Sequence, residues 1–366
     1  MKFRNKPKQK QITQKESIQK TGPFFKSVDK VEGFSYIHYS NGCSGYSTER
    51  RMEIQRKKKV LAYGEILWDL FPQGAVLGGA PFNVVFRLHT LGCETTLISR
   101  LGCDNLGHDA LDQMRRFGMN LRGVQLDTEH ATGTASVQVQ NGQPEFHIAR
   151  EVAYDYISKP EDLDDLTESI DCFYFGTLIQ REPTSRETLY QWLAETTPTL
   201  RFLDLNLRQG CYHPTGITRS LEYATVLKLN EYEVLELARL LNLSFQNLPA
   251  FCKELMTTYG LKTCLVTLGE KGVFAMNWEE TLYIPGYKVQ VLDTVGSGDA
   301  FSAGFIFKTL QNKTLFEACF FGNLLGAAVA TQCGATEILP QKTVDEIRQS
   351  DRRLVDPELI EHEKNS

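Results

Sequence analysis

Asp293-Thr294-Val295-Gly296-Ser297-Gly298-Asp299-Ala300-Phe301 joins a glycine-rich turn, a carboxylate and a helix start within nine positions. Gly296 and Gly298 allow backbone conformations closed to other residues, so successive N–H groups can converge on one point while a helix N-terminus adds its dipole. That combination is a site for an anion. Asp299 stands at the same turn, where a carboxylate would repel a phosphate unless it takes a proton from the group attacking that phosphate. The alternative is a tight strand-to-helix turn in which Asp299 is a helix cap. A second set of groups lies near the first apolar run, where residues 60–68 end at Asp69 and Leu77-Gly78-Gly79-Ala80-Pro81-Phe82-Asn83 follows. The paired glycines permit close backbone approach to a ligand. Asp69 can accept from hydroxyls and Asn83 can both donate and accept, which suits a polyol. Read as plain structure, Asp69 is a loop residue and Asn83 a capping residue.

These groups need elements to position them. Residues 60–68 read as a buried strand with Asp69 at its C-terminal end. A helix from Pro81 to about Leu91 follows, stopped by Gly92. Residues 95–99 form a strand and 108–117 a helix, with Cys103-Asp104 structural at the strand end. Apolar segments at 171–175, 202–205, 226–229 and 263–267 alternate with helical ones, the pattern of a parallel sheet covered on both faces. The class is α/β. Asp204, Asn206, Asn230, Glu233 and residues 267–272 fall just after those strands, at the carboxyl ends where open α/β sheets bind ligands. Residues 278–287 read as an edge hairpin, 287–292 as a strand, and 300–310 and 316–331 as buried helices. From 124 to 149 the period changes to two, with Asn141-Gly142 between alternating segments as a hairpin signal. These strands are assigned to a small separate β-layer, and Arg150 leaves it as a surface charge.

Composition narrows the partners. The chain has 366 residues and a net charge of -5, which offers no electrostatic reason to expect nucleic acid or a membrane. Nine cysteines carry no CxxC pair or Cys/His metal spacing, and no signal peptide precedes them, so reduced thiols and a cytoplasmic location are expected. The longest apolar run, near residues 318–330, is broken by Gly and Asn and is too short for a bilayer. Residues 1–51 are rich in Lys, Gln, Ser and Gly and read as a poorly ordered extension. Met52 stands just before Lys57-Lys58-Lys59 and the first strand, so that extension is expected to be absent from the working protein or idle in it. The domain is placed at 52–345 and a charged tail at 346–366. No GxGxxG follows the first strand, which argues against a dinucleotide oxidoreductase.

The string from Asp293 to Asp299 resembles the DTxGAGD signature of the ribokinase, or PfkB, family of carbohydrate kinases, with Ser297 where Ala is usual. Gly64-Glu65-Ile66-Leu67-Trp68-Asp69 and GGAPFN resemble its fructokinase branch, and the likeness spans about residues 52–344. It implies a ribokinase-like fold: a central, mostly parallel sheet with helices on both faces, plus a small β-sheet lid near residues 70–77 and 122–152 that also serves as a homodimer contact. It implies ATP-dependent transfer of the γ-phosphoryl group to a sugar hydroxyl, fructose to fructose 6-phosphate first. Asp299 would be the catalytic base, and Gly296, Ser297 and Gly298 the anion hole. Asp69, Gly78, Gly79 and Asn83 would bind the sugar. Arg150 would join them, since Arg150, Ala153 and Asp155 match the Arg-Asn-Pro-Ser-Ala-Asp stretch of fructokinases. Asn230, Thr267, Gly269, Gly272, Gly298 and Asn323 would line the nucleotide. Asn230-Glu231-Tyr232-Glu233 is similar to the family's NxxE motif, in which Glu233 would hold Mg²⁺ through water. Asp293, the Val295 carbonyl and the loop near Gly334 would form a K⁺ site. Cys333-Gly334-Ala335 stands where relatives often have Arg-Gly-Ala or Lys-Gly-Ala. Ribokinases carry Asn two residues before the Asp and Lys after the paired glycines; here those places are Leu67 and Ala80, which ranks ribose below fructose. Phe82, where fructokinases usually have Ala, is bulkier and is expected to alter the pocket. The rivals are a kinase for ribose or 2-keto-3-deoxygluconate, and a non-catalytic sugar sensor, against which Asp299 and the intact glycines argue.

Overall fold

The apolar run at residues 60–68 does not form one strand. In the computed structural model, which describes residues 56–350 except 73, 141–142 and 160–168, together with two strands nearer the N-terminus, this run is shared between two sheets. The two early strands, β1 (Ser27–Val31) and β2 (Phe34–His38), pair antiparallel in a unit of their own. The rest of the extension read as poorly ordered lies outside the described residues, as do residues 351–366 of the charged tail.

β3 (Lys59–Tyr63) ends at Gly64, and after Glu65 and Ile66 the chain turns into β4 (Leu67–Phe71), which pairs antiparallel with β5 (Gly74–Gly78). Asp69 is therefore mid-strand in a second sheet and not at the end of the first strand. From Gly79 the chain enters α1 (Ala80–Thr90) with Pro81 in its first turn, where a missing N–H costs nothing. β6 (Glu94–Gly102), α2 (Asn105–Arg116) and β7 (Val124–Asp127) follow. β7 pairs parallel with β6 at the edge of the main sheet, so these four residues do not belong to the small layer as their alternation indicated. The alternation there does not follow burial, since Leu126 is exposed and Asp127 is buried. β8 (Gly133–Gln140) and β9 (Gln143–Ile148) form the expected hairpin, with Gln140 opposite Gln143, and complete the small sheet in the order β5-β4-β8-β9.

Beyond residue 170 strand and helix alternate: β10 (Cys172–Phe175), α3 (Pro183–Glu195), β11 (Leu200–Asp204), α4 (Pro214–Tyr223), β12 (Val226–Asn230), α5 (Glu231–Leu241), α6 (Leu248–Tyr259) and β13 (Thr263–Thr267). The hairpin β14 (Gly272–Asn277) and β15 (Thr281–Pro285) precedes three helices, α7 (Ser297–Leu310), α8 (Leu315–Ala330) and α9 (Gln341–Gln349). The main sheet runs β15-β14-β13-β12-β11-β10-β3-β6-β7, parallel from β13 to β7 and antiparallel at the β14–β15 edge. Successive side chains of a strand point to opposite faces. Leu61, Tyr63, Phe173 and Phe175 accordingly join a core with α3 to α6, while Val60, Ala62, Cys172 and Tyr174 join one with α1, α2, α7 and α8. Burial on both faces is why these strands read as unbroken apolar runs.

Residues 287–292 form no named strand. Tyr287 packs with Leu324, Ala328, Val344 and Ile347, and the Leu292 N–H donates to the Ala330 carbonyl at the end of α8. The alternation there belongs to chain laid across helices, since the sheet ends at β15. Every cysteine among the described residues is free, and no helix among them is long and apolar enough to cross a membrane.

Candidate active site

α7 starts from Gly296, whose φ of 76° is left-handed. A Cβ at Gly296 would lie 2.3 Å from the Ala335 Cβ, so both conformation and space demand glycine here. The Ser297 N–H donates to the Thr294 carbonyl at 3.2 Å and closes the turn. With the Ser297 N–H engaged inside the turn, the Gly298 and Asp299 N–H groups are left in the first helical turn without helical partners. Asp293 braces the turn from behind: its carboxylate accepts from the Val295 N–H at 2.9 Å and the Gly334 N–H at 3.1 Å. The three residues expected around K⁺ are thus together.

Asp299 does not cap its helix. No side chain caps α7, and Asp299 Oδ2 instead accepts from Asn83 Nδ2 at 2.8 Å, a contact between residues 216 positions apart. Asn83 in turn caps nothing; α1 starts from Gly79. Asn83 is 5% exposed, and its buried Oδ1 has no protein partner, which leaves one acceptor for a ligand hydroxyl. Burial, with the Asp204 carboxylate adding to it, pushes the Asp299 carboxyl up to about 6, against the opposing pull of the Asn83 hydrogen bond, Lys228 and Arg208.

Asp69 reaches the same region from the small sheet. A Cβ at Gly78 would lie 2.6 Å from Asp69 Oδ2, and one at Gly79, where φ is 107°, would lie 2.6 Å from the Glu65 carbonyl oxygen. The room made by the paired glycines is therefore taken up by the protein's own carboxylate and backbone. Burial pushes Asp69 up to about 6, and Arg208 lowers it. Glu65 is buried, accepts from the Ala80 N–H at 3.2 Å, and is pushed by burial up to about 7. The charge of Arg208 acts on Glu65, Asp69 and Asp299 alike, which makes it the shared cation of the site. Sequence reasoning gave that place to Arg150, whose Nη2 donates to the Gly210 carbonyl at 2.7 Å instead. Asp155, from the same stretch, is locked in a buried two-armed pair with Arg181. Phe82, expected to alter the pocket, is wholly buried in the core, and Leu67 is buried too.

A model of the pfkB family of carbohydrate kinases matches residues 54–342. The chain belongs to this family. It is 30% identical over 274 residues to the sugar kinase PH1459 of Pyrococcus horikoshii, covering 72% of this chain and 84% of that protein. It is 28% identical over 313 residues to Fructokinase-2 of Oryza sativa subsp. japonica, covering 78% and 92%. The structure of the uncharacterized sugar kinase PH1459 in complex with ATP superposes with a TM-score of 0.66 at 27% identity, over 79% of this chain and 99% of that one. The fructokinase of Xylella fastidiosa shares the fold, with a TM-score of 0.69 at 22% identity over 80% and 99%. As a PfkB carbohydrate kinase the protein is an ATP-using phosphotransferase with a hydroxyl acceptor, and its architecture is the ribokinase-like one.

Beneath the kinase's glycine turn lies a buried polar cluster that sequence reasoning noted only through Asp204. Lys228 Nζ binds both Asp204 oxygens at 2.9 and 3.0 Å, and Tyr174 and Ser302 hydroxyls donate to Asp204 Oδ2 at 3.2 and 2.9 Å. A Cβ at Gly298 would lie 3.2 Å from Lys228 Nζ, so the ammonium sits directly under the turn. Burial works against that charge, but Asp204, Glu233 and Asp299 outweigh it and hold the lysine above its usual pKa. The lone lysine inside the apolar strand Val226-Leu227-Lys228-Leu229 was a signal that could have been used.

The residues expected around the nucleotide take separate structural duties. Asn230 and Glu233 form a capping box on α5, with Asn230 Oδ1 accepting from the Glu233 N–H at 2.9 Å and Glu233 Oε2 from the Asn230 N–H at 2.8 Å. Glu233 Oε1 accepts from the Leu207 N–H at 2.8 Å, and burial raises this carboxyl. Thr267 lies opposite Asn230 across the β12–β13 pair, so the two remain side by side at the carboxyl end of the sheet. Gly269 opens the 3₁₀ turn that follows, and Gly272 ends it at the start of β14. Asn323 Nδ2 donates to the Ile284 carbonyl at 3.1 Å, which ties α8 to β15.

Proposed function

We propose that this kinase transfers the γ-phosphoryl group of ATP to a hydroxyl of fructose, giving fructose 6-phosphate. The observation that carries the reading is the 2.8 Å bond between Asn83 and Asp299. It joins the amide suited to a sugar hydroxyl with the carboxylate beside the phosphoryl-facing turn, so a hydroxyl seated at Asn83 Oδ1 has a proton acceptor next to it. Asp299 takes that proton as the hydroxyl oxygen bonds to phosphorus and the bond to the ADP oxygen breaks. Phosphoryl transfer needs alignment and charge stabilisation more than covalent help from the protein. The Gly298 and Asp299 amides and the α7 dipole face the developing charge. Asp69 holds a second sugar hydroxyl, and Arg208 offsets the surrounding carboxylates.

Mg²⁺ keeps several waters and is usually bound through one or two carboxylates plus substrate phosphates. No group of three His, Cys, Asp or Glu is gathered to hold a metal ion among the described residues, and both Glu233 oxygens already accept backbone N–H groups. Mg²⁺ therefore fits as the counter-ion of ATP, with Glu233 acting on it through water, and it would supply charge neutralisation on the phosphates. K⁺ would be held by the Asp293 carboxylate with the Val295 carbonyl and the loop near Gly334. Leu70 is exposed on the face of the small sheet opposite Asp69, which favours a homodimer through that face, checked by analytical ultracentrifugation.

Leu67 and Ala80 in the places where ribokinases have Asn and Lys, together with the rice fructokinase likeness, favour fructose. ADP release measured across fructose, glucose, ribose and 2-keto-3-deoxygluconate tests this, with the highest kcat/KM expected for fructose and phosphate on its 6-oxygen. A tenfold preference for another sugar sinks the substrate assignment, and sugar binding without ADP sinks catalysis.

A further inference from the structure

Arg87 lies one helical turn beyond Asn83 on α1 and is 2% exposed. A buried cation is costly unless its donors are satisfied. Its Nη2 donates to two main-chain carbonyls, Ala335 at 3.0 Å and Glu337 at 3.0 Å. Burial lowers the guanidinium only to about 10, with Glu337 opposing the drop, so it stays charged at neutral pH. The buried Nε has no protein partner, so Nη2 carries both bonds, and a planar guanidinium bound to two backbone oxygens fixes where a loop runs, which an ion pair between flexible side chains does not.

The loop so held lies between α8 and α9, and its other ties lead to the catalytic turn. The Gly334 N–H is bound to Asp293, and Ala335 presses on Gly296 so closely that a methyl group there would lie 2.3 Å away. The contacts close a ring: Asn83 to Asp299, along the turn to Gly296, across to Ala335, and through its carbonyl to Arg87, one turn from Asn83. The same helix thereby sets the position of the hydroxyl-binding amide and of the phosphoryl-facing turn.

We propose that Arg87 is a positioning residue for phosphoryl transfer, which fixes the Gly296–Asp299 turn relative to Asn83 by holding the 333–337 loop against it. This rests on the kinase reading above. Removing the guanidinium lets the loop and turn drift while Asn83 and Asp69 keep their places, so turnover falls and sugar affinity does not. Small misplacements of this kind cost up to about a hundredfold.

The test compares Arg87→Met and Arg87→Lys with wild type in steady-state kinetics and in hydrogen exchange of peptides covering 294–299 and 331–337. Arg87→Met is expected to lower kcat by about ten- to a hundredfold with the sugar KM within about threefold, and to speed exchange in both peptides. Arg87→Lys, which keeps the charge and one donor group, should fall between the two. Wild-type kcat in folded Arg87→Met, whatever its melting temperature, overturns the proposal. Should the Met variant not fold, Arg87→Lys decides alone: lowered kcat at constant KM supports the proposal, and unchanged kcat overturns it. If wild type phosphorylates no sugar, the kinase reading has failed, and exchange at 294–299 still reports the positioning: faster exchange supports it and wild-type exchange overturns it.

Discussion

Asp299→Asn separates catalysis from structure, because the two effects have opposite signs. The amide oxygen of Asn can still accept from Asn83 Nδ2, so the 2.8 Å contact is retained. Wild-type Asp299 titrates near 6, above its ordinary 3.8, because it is desolvated and lies near Asp204. The folded state therefore binds that proton more tightly than the unfolded state does. Its contribution favours folding at low pH and is lost as pH rises from about 4 to 6. The shift corresponds to about 3 kcal/mol at most, and about 1–2 kcal/mol after allowing for partial exposure. Asn carries no such penalty, so the variant should match or exceed wild-type stability at pH 8, by up to about 1–2 kcal/mol. Turnover should instead fall by about 10² to 10⁴, equivalent to about 3–5 kcal/mol of barrier. Coupled ADP release gives kcat, calorimetry gives sugar binding, and melts at pH 5 and pH 8 give stability. Wild-type kcat/KM should also rise with pH through about 6, and the variant should lack that limb. Near-normal turnover, or a variant less stable than wild type at pH 8, would refute the reasoning.

Gly296→Ala forces a left-handed alanine against Ala335 and should cost about 2–4 kcal/mol by urea unfolding, with activity lost even where the protein folds. Glu65→Gln keeps an acceptor for the Ala80 N–H and removes a carboxyl raised from 4.5 to about 7. Because the folded state binds that proton more tightly, wild type loses stability as pH rises from about 4.5 to 7; the variant should be more stable at pH 8 by about 2–3 kcal/mol and equal below pH 4. Equal melting curves at pH 8 would mean that Glu65 is not desolvated. Glu233→Ala strips acceptors from the Asn230 and Leu207 N–H groups and should lower stability by about 2–4 kcal/mol in denaturant titration, and a smaller loss for Glu233→Gln would confirm that the lost acceptors are the cause.

The parallel strands at 172–175, 226–230 and 263–267 were legible because burial on both faces leaves no polar alternation to mislead. Where coverage is partial the same logic misled. Val124–Asp127 alternates in sequence although Leu126 is exposed and Asp127 buried at the sheet edge, and residues 287–292 alternate because they lie across helices. The break at Gly64 was hidden inside an apolar run, since both sheets bury their share of it. Asn83 and Asp299 were legible as chemical groups with local glycine context. Arg208, Glu65 and Arg87 were not, because their roles depend on groups brought near by tertiary packing. Arg87 in particular lies in a helix buried at every position from Pro81 to Leu88, and because an arginine is seldom fully buried its role emerges only from the loop packed against it.

The Asn83–Asp299 pair has a folding consequence. Asn83 and Asp299 lie 216 positions apart, and their helices meet on the sheet face built from Val60, Ala62 and Tyr174. That face is covered by α1 and α2 from the early chain and by α7 and α8 from the late chain. Between them the chain must lay down β10 to β13, which insert beside β3 in the order β13-β12-β11-β10-β3. Contacts of such sequence separation reward the chain only after the loop-closure entropy has been met, so they form late. The Asn83–Asp299 and Arg87–Ala335 bonds span this gap, by 216 and 248 positions, and the Asp204–Ser302 bond ties β11 to α7 across 98. A chain lacking α7 and α8 could complete the α3–α6 face of the sheet yet would lack Asp299, the glycine turn and the loop that Arg87 holds. Activity in this protein therefore reports docking of the last third of the domain on the first.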